Sequence, residues 1–159
     1  MKKIFFALLV VVFLAVAVKP VSAAEWATIS TTLYGDPNPL PLHRNVFKGV
    51  LVENVDPRVA HNVGVTFEYG GPWYPHTEDT LDLKSLLVYK NGSVVCRFQS
   101  KELKKGPVTC MVGDLNPGET MDTKVTFKSH KTGEFLLIFN ILHDGIETNS
   151  GHIATFVGY

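Results

Sequence analysis

Apolar and polar residues alternate with a period of two along most of the chain beyond residue 25. Val63, Val65, Phe67 and Tyr69 alternate with Gly64, Thr66 and Glu68. Met121, Thr123, Val125 and Phe127 alternate with Asp122, Lys124 and Thr126. Such alternation turns one face to a core and the other to water, the signature of an antiparallel strand. Segments 26–34, 46–55, 83–89, 94–98, 108–112, 135–142 and 153–157 are short and rich in β-branched and aromatic residues, and they also read as strands. No amphipathic stretch is long enough for a helix of three turns. Asn91-Gly92 suits a tight hairpin, and Asn116-Pro117-Gly118 places proline and glycine where a type II turn needs them. Gly70-Gly71-Pro72, Lys131-Thr132-Gly133 and Asn149-Ser150-Gly151 mark further loops. The pattern predicts an all-β fold, an immunoglobulin-like antiparallel β-sandwich of seven to nine strands, with a small barrel ranked second.

The first residues follow a different pattern. Lys2 and Lys3 precede an unbroken apolar run of 15 residues from Ile4 to Val18. A membrane-spanning helix needs about 18–20 such residues. Lys19-Pro20 ends the run, and Val21-Ser22-Ala23 offers small residues before a cleavage point. The expected organisation is a cleaved signal peptide at 1–23, an N-terminal strand and proline-rich linker at 24–44, and the sandwich at 45–159. The mature chain is then expected outside the cell or at its surface, with no membrane span.

That division changes the meaning of the composition. The whole chain is neutral, with 15 Lys+Arg against 15 Asp+Glu, but three of the lysines lie in the signal segment. The remainder is mildly acidic, which argues against a nucleic-acid partner bound through phosphate neutralisation. Export also changes the reading of Cys96 and Cys110, the only two cysteines. An even count in an oxidising compartment predicts a disulfide between them.

From Asn45 onward the order of features resembles the cell-adhesion-related (CARDB) domain of bacteria and archaea, and the related conserved-repeat surface domain of unknown function. The residues that carry the likeness are Val50-Leu51-Val52-Glu53-Asn54, His61-Asn62-Val63-Gly64-Val65-Thr66-Phe67, the turn Asp114-Leu115-Asn116-Pro117-Gly118-Glu119-Thr120, and Phe135 to Leu142 after Thr132-Gly133. The resemblance implies an immunoglobulin-like sandwich on a prokaryotic surface protein. It implies no catalytic residues. The chain departs from the family in carrying one copy rather than an array, and in the long aromatic loop from Gly70 to Thr80.

Motifs of catalysis are missing. There is no Gly-x-Ser-x-Gly elbow, phosphate-binding glycine loop or dinucleotide fingerprint. The histidines at 43, 61, 76, 130, 143 and 152 show no ligand spacing; His143 with Asp144 and Glu147 is the one grouping a fold could assemble. Glu78, Asp79 and Asp82 read as a solvated acidic loop, and Lys84, Lys90, Arg97, Lys101, Lys104 and Lys105 as a solvated basic hairpin. No catalytic, cofactor or metal residue is therefore expected. Asn91-Gly92-Ser93 is a candidate glycosylation sequon, with the plain turn as its alternative. Trp26, Ile29 and Leu33 of the N-terminal strand, and Trp73 and Tyr74 of the aromatic loop, are the candidate partner contacts. The resulting expectation is a non-enzymatic binding or adhesion module that meets a protein or glycan at the cell surface. The alternative is a self-assembling filament subunit that lends its N-terminal strand to a neighbour. A small secreted hydrolase or metal protein ranks last.

Overall fold

The computed structural model describes residues 26–70, 81–130 and 132–157. Among them are nine strands: β1 (Ile29–Gly35), β2 (Asn45–Asn54), β3 (Ala60–Tyr69), β4 (Leu81–Lys90), β5 (Ser93–Gln99), β6 (Val108–Leu115), β7 (Thr120–Ser129), β8 (Gly133–His143) and β9 (Ile146–Val157). A single-turn helix, α1 (Ser100–Leu103), links β5 to β6. The strands form two antiparallel sheets, ordered β1-β2-β7-β4-β5 and β6-β3-β8-β9. Two separate sheets make a sandwich and not a closed barrel. The expected immunoglobulin-like β-sandwich is the observed architecture. No helix among the described residues is long and apolar enough to cross a membrane.

The period of two becomes the core. Val50 and Val52 of β2, Met121, Val125 and Phe127 of β7, and Leu83, Leu86 and Val88 of β4 turn inward from one sheet. Val63, Val65 and Phe67 of β3 and Leu137, Phe139 and Ile141 of β8 meet them from the other. The rings of Phe67 and Phe139 lie 5.1 Å apart, tilted, which suits their quadrupoles. On one flank β1 lies beside β9; on the other β5 lies beside β6. There Cys96 of β5 is bonded to Cys110 of β6, with Cα atoms 6.2 Å apart, so the predicted disulfide staples the two sheets together.

β1 pairs with β2 of its own chain, from Ile29↔Asn54 to Gly35↔Lys48. Gly49 makes the close fit. A Cβ there would come within 2.5 Å of the Tyr34 ring and 2.6 Å of the Thr123 carbonyl. Tyr34 lies over this gap, and its hydroxyl donates to Asp122 Oδ1.

Two turns match expectation: Asn91-Gly92 closes β4–β5 with φ of 47° and 80°, and Gly118 takes a φ of 77° after Pro117. One does not. The loop expected at Asn149-Ser150-Gly151 is strand, with Asn140↔Asn149 and Phe139↔Gly151 in register and Ser150 at an irregularity. The chain turns earlier, at Asp144-Gly145, where both φ angles are positive (51° and 77°). An edge strand answers to one neighbour only, so it tolerates the polar, glycine-containing run that read as a loop.

Candidate functional site

Four segments from three separate stretches of the sequence meet at the end of the sandwich where β2 finishes. They are residues 26–28, the β2–β3 loop at 55–59, the start of β3, and the β8–β9 turn. Asp56 organises the first two. Its Oδ1 accepts from Arg58 N–H at 2.9 Å and Nε at 2.7 Å. Its Oδ2 accepts from Arg58 Nη2 at 2.7 Å and from Thr28 N–H at 3.0 Å. The Arg58 side-chain bonds, then the Arg58 and Thr28 backbone donors, hold this carboxyl well below the usual carboxylate range. Arg58 Nη2 also donates to the Trp26 carbonyl at 2.7 Å.

Asp144 does the same for the other two. It accepts from His61 N–H at 2.9 Å and Ala27 N–H at 3.3 Å, and lies 3.2 Å from His143 Nδ1. Burial pushes its carboxyl up, but the His61, His143 and Ala27 donors outweigh this and leave it lowered. Asp114 accepts from Asn62 N–H and meets His61 Nδ1, both at 3.0 Å. The Asn62 donor first, and His61 second, lower its carboxyl too.

Between these ties lies an open cleft of about 760 Å³, lined by Trp26, Ala27, Arg58, His61, Asn62 and Asp144 among others. Trp26 stands at its rim with 55% of its surface exposed. Its carbonyl is held by Arg58 and the next amide by Asp144, so an exposed aromatic side chain rides on fixed backbone. The three carboxylates are kept ionised and occupied by donors. They anchor this end of the fold and are poorly placed to move protons.

Of the other candidate contacts, Ile29 packs against the core edge, while Leu33 is 46% exposed. Trp73 and Tyr74 lie outside the described residues, as do the signal segment, His76, Glu78 and Asp79. Asn91 is at the exposed hairpin tip. Its Nδ2 donates to Glu119 at 2.9 Å and its Oδ1 accepts from Thr120 N–H at 2.9 Å, which clamps this tip to the β6–β7 turn. His43 and His130 face each other 5.9 Å apart, at the end of the sandwich away from the cleft. Among the described residues no three His, Cys, Asp or Glu side chains converge as a metal set. Asp82 pairs with Lys84. Asp56 and Arg58 were not singled out by sequence reasoning. Their one sequence signal is the spacing Asn54-x-Asp56-x-Arg58 after a strand.

No family model matches the chain, and no curated protein does. Solved structures resemble it at low identity. The CARDB domain of the PF1109 protein from Pyrococcus furiosus, solved in complex with di-metal ions, is 12% identical over 84% of this chain and 90% of that one, with a TM-score of 0.44. AvmM, which catalyses macrocyclisation in alchivemycin A biosynthesis, is 10% identical over 82% and 89%, with a TM-score of 0.48. A cohesin module from a Clostridium perfringens family 33 glycoside hydrolase is 12% identical over 82% and 96%, with a TM-score of 0.43. The two sheets described above, and not these likenesses, set the fold class.

Proposed function

We propose that the chain is an exported, non-catalytic binding module that meets a protein or glycan at the cell surface through the Trp26 cleft. The exposed ring of Trp26 on anchored backbone carries this reading. Aromatic side chains that lose little freedom on contact are the usual anchors of interfaces. The engagement of the carboxylates by backbone and Arg58 donors favours binding over catalysis. Export rests on the basic and apolar run at 1–18 and agrees with the disulfide, which persists in oxidising compartments. The filament alternative requires β1 to leave β2, with which it is in register from Ile29 to Gly35.

Arrays of surface glycans and envelope proteins, probed with the purified protein, test the proposal. The expected result is a specific ligand whose affinity falls about tenfold or more in Trp26→Ala, with the melting transition unchanged. Equal binding by Trp26→Ala would remove the cleft from the reading. Binding to nothing on either array would remove the module.

A further inference from the structure

Among the described residues no strand pairs with the outer edge of β1, and this edge is built differently from the other sheet edges. In the β1–β2 ladder, Val55 N–H donates to the Thr28 carbonyl and Asp36 N–H to the Phe47 carbonyl. Antiparallel ladders alternate, so residues 30, 32 and 34 also spend their N–H and C=O groups on β2. Ile29, Thr31, Leu33 and Gly35 therefore aim theirs away from the sheet. β1 contains no charged residue and no proline, and its seven-residue register with β2 has no bulge. These are the devices that normally blunt an edge. β5 carries Arg97 and a register break at Val95, the β6 ladder is broken near Gly113, and β9 carries Glu147 and a break at Ser150. Leu33 sits opposite the fully buried Val50, hence on the inner face, yet it is 46% exposed.

We propose that β1 is a self-pairing surface whose partner is a second copy of this chain. Two β1 strands join antiparallel about a two-fold axis at Thr32. This register engages the whole strand. It sets Thr31 opposite Leu33 of the other copy and Ile29 opposite Gly35, and makes about eight main-chain hydrogen bonds. Each Leu33 then lies diagonal to the other and is covered. An uncharged strand meets its own image without repulsion, whereas paired β5 strands would bring two copies of Arg97 together. An isologous contact of this kind closes at two copies and does not propagate. Seven residues span only about 23 Å, so the interface is below the usual 1,200–2,000 Å² and association is weak.

Sedimentation velocity from about 10 μM to 1 mM tests this, the range in which so small an interface is read. The wild-type chain should pass from monomer to dimer. Leu33→Lys puts like charges across the axis, and Thr31→Pro removes an outward N–H while leaving the β2 ladder whole. Each should weaken the dimer about tenfold or more, with the melting transition unchanged. Val94→Lys on β5 should leave it intact. Should Thr31→Pro fail to fold, Leu33→Lys carries the comparison. A wild-type monomer at 1 mM, a dimer indifferent to Leu33→Lys, or growth beyond two copies would each overturn the proposal.

Discussion

Asn54 takes an inward position of β2 where Val50 and Val52 would predict another aliphatic residue. It is fully buried and fully used. Its Nδ2 donates to the Arg58 and Leu115 carbonyls, both at 2.8 Å, and its Oδ1 accepts from Asp56 N–H at 3.0 Å. Its backbone pairs with Gly118 and Glu119 as well. One side chain thus fixes the loop that carries Asp56 and Arg58, and with it one wall of the cleft. Thr123, on the inner face of β7, is the opposite case: its buried hydroxyl has no hydrogen-bond partner among the described residues. Urea denaturation should therefore separate the two. Asn54→Ala should lose about 3 kcal/mol, because unpaired buried groups cost ~1–3 kcal/mol each, while Thr123→Val should gain about 1 kcal/mol. Strand-ending asparagine was visible in the sequence, but its task was not, since its partners lie in other segments.

The strands themselves were largely legible because burial on one face imposes the period of two. The disulfide was legible for a separate reason, an even count of two cysteines in a chain expected to be exported. Its loop has a sequence separation of 14, for which the chain-entropy model gives roughly 3 kcal/mol. Cys96→Ser with Cys110→Ser should lose about that much in guanidinium unfolding, and reduction of the wild type should match it. The failure at β9 is equally instructive. Asp144-Gly145 is a strong hairpin dipeptide, and its positive φ angles confirm the role. Asn149-Ser150-Gly151 is equally turn-like in composition, but it lies in the strand that pairs with β8. Composition marks where a chain can turn; pairing decides where it does.

At the level of the whole molecule, carboxylates hold the ends together. Asp56, Asp82, Asp114, Glu119 and Asp144 are all lowered from their ordinary values by local donors. Groups lowered in the folded state stabilise it fully above their unfolded values, near 4. That stability is lost as pH falls toward their folded values. The melting temperature should thus hold steady from about pH 5 to 7 and drop steeply below about pH 4. A scan that keeps the same midpoint down to pH 3 would contradict this account. The cleft belongs to the same scale. It was hidden in the sequence because its walls are contributed by residues near 26, 58, 61 and 144, and only the fold brings them together.

The disulfide also decides how the sandwich yields to pulling. β1 and β9 are the first and last strands among the described residues, and they share the flank that no covalent bond closes. The bond between Cys96 and Cys110 shuts the other flank. A load applied through Ile29 at the cleft end and Val157 at the other would shear β1 and β9 along their ladders. Even after full rupture, the segment from 96 to 110 could not extend. At about 3.5 Å per residue, less the distance the bridge itself spans, the oxidised chain stops roughly 43 Å short of the reduced one. The staple therefore acts as a strain limiter, and redox state sets the reach of the molecule under tension.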